Sequence, residues 1–335
     1  MIDKIAANFY CITLPMPFRL KHVHIYALVH NKEVALFDTG LNIGNAYVIL
    51  ENDLESIGQS IEAVRDIYIT HAHLDHHGMA GIIKKKSGAT IHLSAVADAS
   101  NQNSLKPDLV ARQMKKFYLA HGLTAPEVDG LIMVFNSMPD LVTAFQGDDF
   151  LPPQAVRKFG DWQFEALFTP GHSSGHMCYY FQREGFLLSG DTVLPEITPN
   201  LSPDMFNESF RPLHSFLESL KALEDLPVKK VYPCHGPAFD DLRARVRELN
   251  LHHEERTQLI LNCLNSKPKN TFEVAQEIFG RNLPDFDKFL ALNETYVHLL
   301  ELKLQGIIQE KQAGNNLVYT CKLDPNLSRK ASPRG

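Results

Sequence analysis

Residues 70–78 read Thr70-His71-Ala72-His73-Leu74-Asp75-His76-His77-Gly78, and this stretch is the strongest indication of fold in the chain. It follows Asp66-Ile67-Tyr68-Ile69, a mainly apolar run that is typical of a buried strand. On a helix only residues three or four apart are neighbours, whereas alternate residues of a strand share a face. A strand end therefore lets His71 and His73 converge on one point.

The turn after this strand carries Asp75 and His76, which we expect to face a second point beside the first. Imidazole together with carboxylate suits zinc, and iron or manganese accept the same ligands. The alternative is a surface loop that merely happens to be rich in histidine. A metal site differs from such a loop in one testable way, because it needs further ligands from distant parts of the chain.

Three later segments supply candidates for those ligands. Each places a histidine or an aspartate after an apolar run and beside glycine or proline, the pattern of a ligand where a strand passes into a loop. They are His172 after Pro170-Gly171, Asp191 after Ser189-Gly190, and His235 between Cys234 and Gly236.

Together these motifs resemble the metallo-β-lactamase fold superfamily. The family pattern is His-x-His-x-Asp-His, then Gly-His, Gly-Asp and a last Gly-flanked His, and each position is filled in order. The turn Asp38-Thr39-Gly40 after an apolar run also resembles the family's early Asp-x-Gly strand end. The resemblance spans residues 36–236 and implies an α+β protein, an αββα sandwich of two facing sheets with helices outside.

The resemblance also implies a role for each motif residue. The first metal would be held by His71, His73 and His172, the second by Asp75, His76 and His235, with Asp191 bridging the two. We expect two Zn²⁺ ions per chain, with Fe or Mn as alternatives.

The same likeness implies a dinuclear-metal-dependent hydrolase. A hydroxide between the metals would attack the carbonyl of a small ester, thioester or lactone, with Asp75 and Asp191 as catalytic residues. Asp38 would support the ligands from behind. His214, in a predicted helix over residues 209–226, is a candidate for the substrate pocket.

The chain is expected to divide into a catalytic domain and an appendage. The catalytic domain would cover residues 1–239, with a strand at 5–14, a helix at 78–87 and a helical insertion at about 94–153. Residues 240–324 show three helical segments and a hairpin near Gly314, an order that resembles a winged helix, and residues 325–335 are expected to be disordered. Asn270-Thr271-Phe272-Glu273 predicts a capping box that opens the middle helix.

Composition narrows the functional classes. A net charge of −6 argues against binding of polyanions by bulk charge. The five scattered cysteines contain no CxxC pair and favour a reducing compartment. Because no apolar run is long enough to span a bilayer and no signal sequence is evident, we expect a cytoplasmic protein without a membrane partner.

Other functions remain open at this level. The winged-helix likeness raises a metal-dependent endoribonuclease, although residues 271–279 contain no Lys or Arg, so nucleic acid is not the favoured partner. An iron-dependent sulfur dioxygenase would use the same fold, but those relatives generally need fewer ligands. A non-catalytic scaffold would have no use for a complete ligand set. A small-molecule substrate is therefore the expected partner, and a homodimer is compatible with the sequence.

Overall fold

The computed structural model describes residues 2–17, 19–137 and 141–322. In this part of the chain the strands are β1 Ile2–Ala6, β2 Phe9–Pro15, β3 His22–His30, β4 Glu33–Phe37, β5 Val64–Tyr68, β6 Thr90–Leu93, β7 Asp149–Phe150, β8 Ala155–Phe159, β9 Trp162–Phe168, β10 Met177–Phe181, β11 Phe186–Gly190, β12 Lys230–Pro233, β13 Ile308–Ala313 and β14 Asn316–Cys321. The α-helices are α1 Ala46–Ser56, α2 Leu74–His77, α3 Ala80–Ser87, α4 Ala95–Ser104, α5 Pro107–Ala120, α6 Ala125–Asn136, α7 Pro212–Glu224, α8 Leu242–Cys263, α9 Thr271–Phe279 and α10 Asp285–Leu304.

Two sheets face each other. The first runs in the order β1-β2-β3-β4-β5-β6-β7 and the second in the order β12-β11-β10-β9-β8, while β13 and β14 form a separate hairpin. Between the sheets lies an aromatic core that includes Phe9, Phe37 and Phe181, whose rings are 5.2–6.3 Å apart. Separate apolar cores join the first sheet to α1 and α3 and the second sheet to α7 and α8. The predicted αββα sandwich is therefore confirmed.

The strand directions explain why ligands gather at one edge. β4 and β5 are parallel neighbours in the first sheet, and β11 and β12 are parallel neighbours in the second. Parallel strands end at the same edge of a sheet, and residues that follow them lie there together. Asp38, His71, Asp191 and His235 come within a few residues of the ends of these strands.

Two predicted elements differ from the structure. Residues 5–14 are predicted to form one strand, but they belong to the antiparallel pair β1 and β2, which is joined by a turn in which Asn8 has a φ of 59°. The helix predicted over residues 78–87 corresponds to α3, which begins at Ala80, but the turn expected before it contains a further short helix, α2, from Leu74 to His77. Because α2 is helical, Asp75 and His76 do not continue in the direction of β5.

The insertion supplies α4, α5, α6 and the short edge strand β7, and it packs against the C-terminal helices. Tyr118 of α5 is buried and donates a hydrogen bond to Asn293 Oδ1 of α10, with an oxygen-to-oxygen distance of 3.1 Å. The C-terminal segment follows the predicted order of three helices and a hairpin, and its capping box at Asn270 is present. The predicted boundary at residue 239 stays a prediction, and the tail at 325–335 lies outside the described residues.

No helix in the described ranges combines the length and the apolar character that crossing a bilayer requires.

Candidate metal centre

Three histidines meet at the end of β5. His71 Nε2 and His172 Nε2 lie 2.9 and 3.0 Å from His73 Nδ1. His71 comes directly from the strand end, and His172 follows β9 in the opposite sheet. His71 is fully buried, whereas His73 is exposed and forms the solvent side of the group.

Hydrogen bonds on the far side of these rings determine which nitrogen carries the proton. The Thr70 hydroxyl donates to Asp38 Oδ2, so Thr70 Oγ1 must accept from His71 Nδ1, 2.9 Å away. His172 Nδ1 likewise donates to the carbonyl oxygen of Asn200 at 2.8 Å. When His71 and His172 are neutral, the Nε2 atom of each ring therefore carries a lone pair. Both lone pairs face the point at which the three histidines meet. A cation at their meeting point satisfies them, and metal-bound histidines usually show this outer support.

A second group lies beside the first. His235 Nε2 is 3.4 Å from Asp75 Oδ2, and His76 Nε2 is 3.5 Å from the same oxygen. His76 donates its other ring nitrogen to Asp38 at 2.8 Å, and His235 donates to the carbonyl oxygen of His22 at 3.0 Å. In the neutral form of each ring, the inward Nε2 therefore carries a lone pair that faces a point shared by both rings.

Asp191 lies between the two groups. Its Oδ2 is 3.6 Å from His172 Nε2 in the first group. The same oxygen is 3.5 Å from both His76 Nε2 and His235 Nε2 in the second. The structure thus brings all the predicted metal ligands to one place, and the carboxylate of Asp191 contacts both groups.

The donors fit a divalent metal site on chemical grounds. Among the described residues, His76 Nε2, His235 Nε2 and Asp191 Oδ1 are buried side-chain atoms without a hydrogen-bond partner. Leaving such atoms unpaired costs roughly 1–3 kcal/mol each. Clusters of His and Asp whose donor atoms lie within 4.8 Å of one another are the arrangement that a divalent cation requires.

The electrostatics of His71 and Asp191 favour the protonation states that metal ligands need, whereas at His76 the carboxylates of Asp75 and Asp191 outweigh burial and raise the imidazole pKa. Burial and the neighbouring His76 and His73 imidazoles lower the pKa of His71 well below its usual value. Burial alone would raise the pKa of Asp191, yet His235 and His76 hold that pKa well below its usual range. Neutral imidazole and ionised carboxylate are the ligand forms that bind metal without first releasing a proton.

Asp38 supports both groups from behind. Its Oδ1 accepts from the Thr70 backbone at 2.7 Å, and its Oδ2 accepts from the Thr70 hydroxyl, His76 Nδ1 and the Cys234 thiol at 2.8, 2.8 and 3.3 Å. Asp38 has a φ of 61°, an uncommon conformation that places the carboxylate below the ligands. The thiol of Cys234 is buried and serves as a donor to Asp38.

His176 contributes to the centre and is not singled out by the sequence. Its Nε2 accepts from the backbone N–H of Asp191 at 3.1 Å, and its Nδ1 contacts the hydroxyls of Thr169 and Thr192 at 3.0 Å each. It follows Gly175 as His172 follows Gly171, so the sequence alone offers two Gly-His pairs of equal appearance. Only the fold shows that His176 positions Asp191 and that His172 faces the other donors.

His214 lies on the outer face of α7. Its side chain is exposed, whereas the inward face of this helix is formed by residues such as Phe216 and Leu220. Within the described ranges no hydrogen bond or ion pair joins His214 to the metal donors. Its role in a substrate pocket stays a prediction.

The clustered His and Asp donors are typical of a metal-dependent protein, and comparison with known proteins shows the family. Residues 19–235 match the family described as the Metallo-beta-lactamase superfamily, and the chain belongs to that superfamily. It is 24% identical over 311 residues to "Probable metallo-hydrolase YqjP" of Bacillus subtilis, a match that covers 92% of this chain and 96% of that protein. The family match and this relative together support the assignment of the chain as a metallo-hydrolase.

Two further similarities are informative. The crystal structure of a metallo-beta-lactamase family protein from Thermus thermophilus superposes with a TM-score of 0.84 at 29% identity, over 95% of this chain and 100% of that one. A shorter match, 30% identical over 139 residues, joins 38% of this chain to 41% of "Atrochrysone carboxyl ACP thioesterase" of Aspergillus fumigatus.

Proposed function

We propose that this protein is a dinuclear zinc hydrolase that cleaves a small ester, thioester or lactone at its carbonyl carbon. One observation carries the proposal: Asp191 Oδ2 lies 3.5–3.6 Å from inward histidine nitrogens of both ligand groups. A carboxylate oxygen in this position is suited to bridge two ions. Six further ligands surround it, three to each group.

The chemistry follows from this arrangement. A bound metal pair supplies a water of lowered pKa and stabilises negative charge on the substrate oxygen. Asp75 is the partly exposed carboxylate of the site, with 19% of its side chain accessible, and its Oδ2 also faces His235. Asp75 can therefore orient the attacking water. The exposed His73 indicates the side from which the substrate enters.

A carbonyl substrate is supported by one relative and by the insertion. The thioesterase match is local, because the two chains share less than half their lengths. The insertion is apolar on its inner face, where Met114, Val128 and Leu131 are buried. Its exposed apolar residues include Met133 at 71% and Leu105 at 39%, a composition that suits an acyl group better than a phosphate chain.

The structure also bears on the ribonuclease alternative. In helix-turn-helix proteins the recognition helix enters a groove of the nucleic acid and must be accessible. Here α10, the last helix before the hairpin, is buried over most of residues 291–302. Its flanking lysines are paired, Lys288 with Asp285 and Lys303 with Glu310. This burial argues against nucleic acid as the substrate.

A paired assay tests the proposal. Zinc-reconstituted protein is offered acyl esters, thioesters and lactones in parallel with single-stranded RNA. Asp75→Ala is compared with Asp161→Ala, which removes an exposed carboxylate from the loop between β8 and β9. We expect carbonyl-ester turnover that Asp75→Ala abolishes and Asp161→Ala retains. RNA cleavage that disappears in Asp75→Ala would instead make the protein a nuclease.

A further inference from the structure

A second cluster of metal-ligating side chains lies between α8 and α10, apart from the metal centre. His253 on α8 and Glu294 and His298 on α10 are all buried. Glu294 and His298 are four residues apart, so one face of α10 presents both side chains to α8. Helix pairs of this kind are common scaffolds for metal sites built from facing side chains.

Three donor atoms of this cluster face one another. His298 Nε2 is 3.3 Å from His253 Nδ1 and 3.6 Å from Glu294 Oε1, and His253 Nδ1 is 3.8 Å from that oxygen. Ligands about 2.0–2.2 Å from one ion in a tetrahedral arrangement lie roughly 3.2–3.6 Å apart. The observed separations are at or just beyond this spacing.

The hydrogen bonds of Thr257 define the tautomer of His298. The Thr257 hydroxyl donates to the carbonyl oxygen of His253 at 2.8 Å, so its oxygen accepts from His298 Nδ1, also at 2.8 Å. In neutral His298 the inward Nε2 is therefore a lone pair that points at His253 and Glu294. The same outer support is found behind His71 and His172 in the metal centre.

Within the described ranges, the positive partners offered to Glu294 Oε1 are His253 and His298, each only when its ring is protonated. Its Oε1 is buried and has no hydrogen-bond partner within the described ranges, which also offer it no Lys or Arg ion pair. A proton donated by His298 would draw the two atoms to hydrogen-bond distance, but 3.6 Å exceeds that distance. A buried carboxylate is otherwise expected to be neutralised by an ion or a metal.

We propose that His253, Glu294 and His298 form a further zinc site, completed on the solvent side by His252. Donor atoms of His252, His253 and Glu294 lie within 4.8 Å of one another, and His252 is half-buried, which gives the ion a path of entry. Three imidazoles and one carboxylate are ligand types that Zn²⁺ accepts, and they supply the four ligands that a tetrahedral site needs.

This site is joined to the metal centre through one peptide group. Glu294 Oε2 accepts from the backbone N–H of Leu201 at 3.3 Å. The carbonyl of the same peptide, that of Asn200, accepts from His172 Nδ1 at 2.8 Å. An ion that holds Glu294 in place therefore also supports the peptide that orients His172, a ligand of the metal centre.

The proposal is tested by counting zinc in the full-length protein. Each variant is loaded with excess Zn²⁺, desalted and measured by mass spectrometry of the metal, with folding checked by circular dichroism. We expect Glu294→Gln/His298→Gln to retain about one zinc fewer per chain than the wild type, since it removes two of the four ligands that such a site needs. Glu301→Gln is the matched control, because it removes another poorly exposed carboxylate from α10, one that pairs with Arg211. Equal zinc in the wild type and the double variant overturns the proposal.

A second measurement uses the wild type alone and remains decisive if the double variant does not fold. Imidazole ¹⁵N spectra of the zinc-loaded protein should show His298 with Nδ1 protonated and Nε2 metal-bound, unchanged between about pH 6 and 8, the range in which a free imidazole titrates. A His298 ring that titrates as a free imidazolium in zinc-loaded protein would show that the cluster holds only a proton. Neither readout depends on hydrolysis, so failure here would leave the proposed function untouched.

Discussion

At the scale of single residues, the metal centre depends on side chains that are themselves held by a further layer of hydrogen bonds. Asp38 shows this most directly, because four donors from Thr70, His76 and Cys234 converge on its two oxygens. Its ionised form accepts all of them, whereas an amide can accept on one side only.

We therefore expect Asp38→Asn to weaken zinc binding by about 10- to 100-fold, the usual effect of losing support behind a ligand. The amide nitrogen would face hydrogen-bond donors such as His76 Nδ1, and the ring would lose its orientation. Competition with a chelator of known affinity measures the change. Asp161→Asn serves as the control, and equal zinc affinity in the two variants would show that Asp38 does not support the site.

Gly190 offers a second test at this scale. It has a φ of 50°, and a Cβ at this position would lie 2.6 Å from His176 Nε2, the atom that accepts from the Asp191 backbone. Gly190→Ala should displace the His176 ring and with it the Asp191 carboxylate. We expect a clear loss of bound zinc after desalting.

Gly185→Ala is the matched control for Gly190→Ala. Gly185 also has a positive φ, of 76°, but its Cβ would meet only the flexible side chain of Lys229. Both variants carry backbone strain of roughly 1 kcal/mol or more, so a difference in zinc content isolates the contact with His176. Full zinc retention in Gly190→Ala would contradict the assigned role of His176.

At the scale of secondary-structure elements, short local signals decide where helices begin. Asn270 Oδ1 accepts from the Glu273 backbone at 2.8 Å, and the Glu273 carboxylate accepts from the Asn270 backbone at 2.8 Å. Both bonds follow from sequence spacing alone, which is why the capping box predicts the observed start of α9.

Asn270→Ala should lower the free energy of unfolding by about 1 kcal/mol, the usual cost of losing a helix cap. The side chain also lies against Gly122 of the insertion, so the loss removes a contact between the insertion and α9. Urea denaturation measures the change. Asn262→Ala, at an exposed position on α8, should have almost no effect, and equal effects of the two substitutions would argue against the capping role.

At the scale of the whole molecule, the two sheets are joined by the aromatic core and by the ligand groups. His71 and Asp75 follow β5 of the first sheet. His172, Asp191 and His235 follow strands of the second sheet. A metal that binds only when both sheets are in place stabilises the folded state by mass action.

Removal of metal with a chelator should therefore lower the melting temperature, and added Zn²⁺ should restore it in a concentration-dependent way. Free zinc at about 100 times its dissociation constant contributes about 2.7 kcal/mol for one site. Differential scanning calorimetry with and without chelator provides the measurement. A melting temperature that does not respond to zinc would contradict a metal held between the two sheets.

The amino-acid sequence by itself determined the ligand loop and the fold class of this protein. The spacing of His71, His73, Asp75 and His76 after an apolar run was sufficient to predict a ligand loop, because strand and turn geometry are local properties. Asp191 and His235 could be selected from apolar runs beside glycine and proline, and the same pattern offered His172 as a candidate. The sandwich fold followed from resemblance to a family and was confirmed.

Only the tertiary structure decided the rest. Two Gly-His pairs look alike in sequence, and the packing of the two sheets is what directs His172 to the ligand group and His176 to the Asp191 backbone. The cluster joins His253 of α8 to Glu294 and His298 of α10, which lie 41 and 45 positions later, and no local pattern indicates that the two helices are neighbours. Long-range packing sets such contacts, because each helix can bury its apolar face only against a partner chosen by the whole fold.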